Sequence, residues 1–588
     1  MISAKTDLRP GCFHKRWRKA PVVSILLCAA VVSLAGCAAT EPGTEKSPQG
    51  HIAGIMAGTP SGSRAFFSLP FPEQQSDKWI VHVLNRLGYG PRPGDVEVVR
   101  RLGLVNYIEL QLSPGRIPDP VVEAKLQSLP TLAMGSQELA AAFPRSAPQG
   151  KPSGQEGRDS GTGKSALLST AMPTRTMNRP ATILMELAQA KLLRALYSER
   201  QLQEVMEDFW FNHFNVFAHK GADLWLVTSY DRDVIRPHAM GRFRDLLGAV
   251  AKHPAMLFYL DNWMSSKVGG PDLPRDPKGS QNRGPFTGLN ENYARELMEL
   301  HTLGVDGGYT QEDVTEVARC FTGWSIDRPQ QGGGFVFRPQ MHDDGEKTVL
   351  GVHIPPGGGL HDGEMILDLL SRHPATARFI ATKLVRRFVT DVPPQPLVDR
   401  AARVFVNTDG DIQAVVRLII TSPEFFSETA YRAKAKTPLQ FVASAVRALG
   451  GEAQTRSSLP GVVDQLGEPL FQAVPPTGYP DTSGAWVNAG SLLARMNFAL
   501  TLAGGRVPGT WVDLDRLLGP ADRHQPQLVL ERLLSVLLHQ DVSEETRDAL
   551  VEQLNSPEIT QRISDNRRNT DAVALASLIL GSPDFQRW

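Results

Sequence analysis

The sequence predicts a mainly α fold, a multi-helix globular body with one small β-hairpin or loop insertion near 330–360. Three observations carry this expectation. Apolar residues recur at steps of three and four through most of the chain from residue 78 onward. Strict alternation of apolar and polar residues is scarce. The chain has 588 residues, longer than one hydrophobic core usually organises, so two or more packed units are expected. The 62 Lys+Arg balance 62 Asp+Glu, which argues against a nucleic-acid binder with its usual basic excess. Four Cys exclude a disulfide scaffold.

Taken in order, the first element is a leader. Lys5, Arg9, Lys15, Arg16, Arg18 and Lys19 precede an apolar stretch, Val22 to Ala35, too short to span a bilayer comfortably. Leu34-Ala35-Gly36-Cys37 follows and resembles the lipobox of bacterial lipoproteins, whose Cys is lipidated and becomes the mature N-terminus. Residues 1–36 are therefore expected to be a signal peptide, with Cys37 as membrane anchor and the cell envelope as destination. Ala38 lacks the charge of the Asp that would suggest inner-membrane retention, which favours the outer membrane. Cleavage would remove six basic residues and one acid, leaving 56 against 61, a net charge of −5. Of the four Cys, only Cys320 would then remain as a free thiol. Its apolar helical context predicts a buried structural residue.

Residues 37–75, rich in Gly, Pro, Ser and Thr, read as a flexible tether. The body, 76–588, opens with a helix near Lys78 (Ile80, Val83, Leu84, Leu87) and a Gly-Pro-Arg-Pro-Gly turn into a second. Residues 134–175 read as a disordered insertion. Its Gly161-Thr-Gly-Lys-Ser165 mimics the end of a P-loop, but Arg158 stands where the first Gly is required. Dense helical patterns fill 180–327. Phe335-Val-Phe337 and Thr348-Val-Leu350 are expected to pair around His342-Asp-Asp-Gly345. Helices resume from Gly363, with a sub-boundary admitted near 430–460. The segments beginning at Asp411 and Asp571 echo each other. Each predicts a helix followed by Ser422 or Ser582 as N-cap and a Pro at the next position.

Polar residues concentrate in three places. Glu204, Asp208, Asn212 and Asn215 share one helical face beside a stripe that His213 continues. Asn290 to Gly304 predicts a helix capped by Asn290 and stopped by Gly304. At about 100° per residue, Asn292, Glu296 and Glu299 share a face that His301 leaves. The third place is the His342-Asp343-Asp344 loop. Glu296, His213, His342, Asp343 and Asn212 are the candidate catalytic residues; Glu296, Glu299, His213 and His342 are the candidate ligands of a divalent metal. The competing explanation is structural: Glu291, Arg295 and Glu299 at i,i+4 can simply salt-bridge, and His213 on an apolar stripe can be a core residue. The Arg372–Arg387 helix could meet an anionic polymer or headgroup, although a solvated basic face explains it as well. The 475–488 loop, with Tyr479 and Trp486, could stack on sugar or cap the core.

Several strings together resemble the bacterial domain of unknown function 1800 family. They include Arg86-Leu-Gly-Tyr-Gly-Pro-Arg-Pro-Gly94, Trp210-Phe-Asn-His-Phe-Asn215, Ile235-Arg-Pro-His238, His253-Pro-Ala-Met-Leu257, Asn290 through Gly304, and Ala318-Arg-Cys-Phe-Thr-Gly-Trp324. The resemblance covers roughly 80 to 588 and implies no catalytic set. The resulting expectation is a hydrolase of glycan or another polymer, lipid-anchored in the envelope and without nucleic-acid partners. The alternative is a non-catalytic binding or assembly factor with a polysaccharide or envelope-protein partner.

Overall fold

The computed structural model describes residues 76–144, 179–269, 288–522, 525–555 and 569–588. The expected signal peptide, Cys37 and the expected tether lie outside these residues, as does the P-loop mimic. Helices form most of the described chain, with three two-stranded antiparallel pairs between them. One continuous apolar core runs from Ile80 to Phe585, with two small satellites, rather than two separate cores.

The helix Asp77–Arg86 buries Ile80, Val83 and Leu84 as their spacing requires, and Gly94 (φ 95°) turns the chain into Asp95–Leu102. The first part of the expected insertion, 134–175, is helical. Ser136–Ala142 is helical and buries Leu139, with Phe143 buried just beyond it, while 145–178 lie outside the described residues. Ala181–Tyr197 and Gln201–His213 follow, both buried over most of their circumference, so neither has a wide solvated face.

The strands differ from expectation. Phe335–Phe337 pairs with Trp324–Ile326, not with the segment after His342. Lys347–Val349 instead pairs with Val352–Ile354 across a two-residue turn. Leu350 (φ 50°) and Gly351 (φ 76°) both take the left-handed conformation that matches strand twist. A turn this short wins because it closes locally, leaving His342–Gly345 as a link between two hairpins.

Caps explain several helix starts. His253 and His373 each precede Pro-Ala, and each imidazole Nδ1 accepts a hydrogen bond from the following Ala N–H (3.1 Å in both). Pro at the next position loses no hydrogen bond there. The sequence echo holds at its caps: Ser422 accepts from Phe425 N and Ser582 from Phe585 N. Only the second continues as a helix, Pro583–Gln586; both Phe side chains are buried. The 430–460 stretch carries Pro438–Ala448, buried along its whole length and packed on Ala181–Tyr197. Cys320 is buried, and burial pushes its thiol up to about 12, which leaves it unreactive.

Candidate functional site

The helix Gln201–His213 carries acids on a face turned inward rather than to water. Lys191, from Ala181–Tyr197, reaches across to Asp208 (2.9 Å) and Glu207 (3.3 Å). Arg236 clasps Glu204 with both oxygens near 2.8 Å and stands 3.6 Å from Glu207. Asp231 comes from Tyr230–Ile235, a π-helical turn, and shares a hydrogen bond with Glu207. Two buried carboxyls bonded to each other must hold one proton between them, and burial pushes Glu207 upward to take it.

Beyond Asp208 and Asn212 the network opens into a cavity of about 80 Å³. That is room for several waters, or for one charged or sugar-like end of a ligand whose remainder stays outside. Its other walls come from far along the chain: Arg387 on Pro374–Phe388, Lys434, Glu468, the Tyr479–Trp486 loop and Trp588. Asn212 holds that loop by a two-way bond, donating to Tyr479 O (2.8 Å) and accepting from Tyr479 N (2.6 Å). Asn215 donates to the carbonyls of Ala473 and Pro475 (2.9 Å each). Gly478 (φ 69°) permits the approach, since a Cβ there would sit 2.3 Å from the Asn212 carbonyl oxygen. The Tyr479 and Trp486 rings stand 5.9 Å apart at the rim.

The two cavity carboxylates have different surroundings. Asp208 is paired with Lys191, whereas Glu468 has no basic partner within ion-pair distance among the described residues. Burial first, and then the Asp208 charge, raise Glu468 to about 7, even though its Oε2 accepts from Leu439 N (2.8 Å). Lys434, bonded to Asp391, is lowered to about 8 chiefly by burial.

The expected convergence of Glu296, His213 and His342 does not occur. His213 is buried among Phe209, Trp210, Phe214 and Phe379 and bonds the His301 carbonyl through Nε2 (3.1 Å). Burial lowers its pKa well below the ordinary value, as a neutral core histidine requires. His342 is fully buried elsewhere, with Nε2 3.2 Å from Asp362, which also holds Lys347 (2.8 Å). Asp343 pairs with Arg319 (2.9 Å), which holds its carboxyl below the usual range. These two residues fasten the inter-hairpin link to its neighbouring helices.

Glu296 is half-buried and raised by burial and by Glu299, and Glu299 accepts from the Tyr309 hydroxyl (3.0 Å). The helix there is Glu291–Glu299, capped by Asn290 as expected. It ends five residues before Gly304, because His301 N turns back to Glu296 O and Leu303 N to Met298 O. As a metal set, Glu296, Glu299, His213 and His342 are thus spread over separate networks. Among the described residues no group of three or more His, Cys, Asp or Glu could hold a metal ion. Of the five catalytic candidates, Asn212 alone lines the cavity.

Glu468 was invisible in the sequence, an isolated acid in Gly467-Glu-Pro469. Asp208, Arg387 and the aromatic loop each left a signal, but nothing local tied them together.

The family described as protein of unknown function, DUF1800, matches residues 82–587. No curated protein and no solved structure matches the chain.

Proposed function

We propose that this chain, which belongs to the DUF1800 family, is an envelope lipoprotein that hydrolyses a glycan in the cavity beside Asp208 and Asn212. The observation that carries the reading is that Glu468 and Asp208, two carboxyls in contrasting environments, line one cavity with an aromatic rim. Contrasting environments divide acid from base. Glu468, at about 7, is poised to donate a proton to the departing glycosidic oxygen near neutral pH. Asp208 would take a proton from the water whose oxygen bonds to the anomeric carbon as the glycosidic bond breaks. Asn212 is a positioning residue, because both its amide groups are already engaged by the Tyr479 backbone.

The test uses full-length protein in detergent, a panel of envelope polysaccharides and a reducing-end assay. Glu468→Gln is expected to lose at least about 100-fold of the rate. Its stability moves the opposite way. A carboxyl raised from 4.5 to about 7 supports the fold fully below pH 4.5, and that support is lost as pH rises through 7. The Gln variant avoids this loss and should gain about 3 kcal/mol over wild type at pH 8, read by denaturant titration. Undiminished reducing-end release from Glu468→Gln would remove the hydrolase reading.

One bond favours a second reading, that of a non-catalytic binding or assembly factor. Glu468 Oε2 caps the start of Pro438–Ala448 through Leu439 N. If that is its whole role, the Gln variant loses stability at pH 8 instead of gaining it.

The anchor is tested separately. Cys37→Ser is expected to move the protein from the membrane fraction to the soluble fraction and to abolish palmitate labelling. Retention in the membrane would rule out lipidation at Cys37.

A further inference from the structure

Arg387 and Lys434 on the cavity wall, and Arg86 on the same Trp588 ring as Arg387, are buried cations whose neighbouring acids are engaged elsewhere. Arg387 sits with its guanidinium 4.5 Å from the Trp588 ring centroid, and both its terminal nitrogens are buried with no hydrogen-bond partner among the described residues. Arg86, fully buried, lies 4.8 Å from the same ring, and its Nε and Nη1 also lack partners. Each guanidinium has a lowered pKa, Arg86 to about 9, because burial disfavours its charge; the Arg387 charge adds to the effect at Arg86. Lys434 is the third cation.

The acids nearby are already committed. Asp391 is bonded to Lys434 and accepts from Ser483 N; Asp481 stands 3.5 Å from Lys383; Asp208 is taken by Lys191. Glu468 is held near neutral protonation. A guanidinium that lines a cavity with its two outer nitrogens buried and unpaired costs stability in the empty protein. Such a cost is accepted where an anion with two oxygens to offer completes the fork on binding.

We infer that Arg387, with Lys434 beside it, is the recognition site for an anionic oxygen group on the substrate, a sugar carboxylate or a phosphate ester, which makes the substrate class an acidic glycan. The inference deepens the proposed hydrolase and rests on that reading for the cavity's being a substrate site. Its two sources, uronic acid and phosphorylated sugar, share a pair of anionic oxygens that can accept both N–H groups of the fork.

Binding is measured by calorimetry on full-length protein in detergent carrying Glu468→Gln, so that nothing is consumed. The probes are trigalacturonate, glucose 1-phosphate and neutral maltotriose. At least one anionic probe is expected to bind and to weaken at least tenfold in Arg387→Met; maltotriose should not respond to that change. Whichever anionic probe binds names the source. Arg387→Lys keeps the charge but not the fork and should fall between the two. The thermal midpoint of Arg387→Met without ligand should be unchanged or higher, since the guanidinium has no hydrogen bond to lose, whereas a purely structural Arg would lower it. If neither anionic probe binds, or if both bind Arg387→Met as well as the parent, the inference is overturned. Arg387-dependent binding without polysaccharide cleavage by the wild type would remove the hydrolase and keep the anion site. Cleavage of neutral glycans alone would do the reverse.

Discussion

Replacing His301 with Leu is expected to yield a protein that outlasts the wild type by a margin that widens as the pH falls. His301 is buried between Phe214 and His213, and burial, reinforced by Lys383, lowers its pKa from 6.5 to about 3. A histidine held neutral in the fold contributes stability that is complete above pH 6.5, where the unfolded chain also leaves it neutral. The contribution is lost as pH falls toward 3, because only the unfolded imidazole can then bind a proton. From pH 7 the loss reaches about 2 kcal/mol at pH 5 and about 3 kcal/mol at pH 4.

Leu cannot titrate, so the difference between variant and wild type should follow that curve whatever the other groups do. The comparison matters because the raised carboxyls act in the opposite direction: Glu468 gains stability over part of the same range. His253 should behave like His301, since its pKa is also about 3, with the added penalty that protonating Nδ1 breaks the cap on Ala255 N. Urea titrations of both proteins at pH 7, 5 and 4 test this; a pH-independent difference would mean that His301 is not held neutral.

Lys191→Met is expected to cost about 3–5 kcal/mol, because it leaves the charged Asp208 and the proton-sharing Glu207–Asp231 pair without this cation in a largely buried setting. Lys191 is 7% exposed and holds Asp208 and Glu207, and Arg236 is already engaged by Glu204. The methionine keeps most of the side-chain volume but loses the ammonium, which stands 5.6 Å and 5.2 Å from the Phe211 and Phe471 ring centroids, so the loss is one of charge. Adding Asp208→Asn should recover at least about 1 kcal/mol of the loss, a coupling read from the double-mutant cycle. A single variant within about 1 kcal/mol of wild type would show that the network does not hold these helices together.

Local pattern explains how much of this was legible beforehand. The helices over Asp77–Arg86, Asp95–Leu102 and Glu291–Glu299, the Asn290 cap and the Ser582–Pro583 start all depend on residues a few positions apart, and all were readable. The hairpin was half legible. Strand residues near 335 and 348 were evident, but their partners were misassigned, because any nearby strand can complete a ladder and the Leu350–Gly351 turn settled the choice. Arg387 shows the limit most clearly. Its spacing places it on a basic face with Lys383 and Arg386, which in an isolated helix would be wet. In the folded chain Asp481, Lys434 and Trp588 come from 47 or more positions away to enclose it.

The sequence by itself therefore determined the mainly α class, most helix starts and the family, because periodicity and capping act within a few residues. Only the tertiary structure decided that the acidic face of Gln201–His213 meets Arg387, Glu468 and the Tyr479 loop, while Glu296, His213 and His342 stay apart. The reason is that a helix's own residues set which side chains share a face, but what covers that face sets their desolvation. Desolvation, more than residue type, turned Glu468 into a candidate acid and His213 into a neutral core residue.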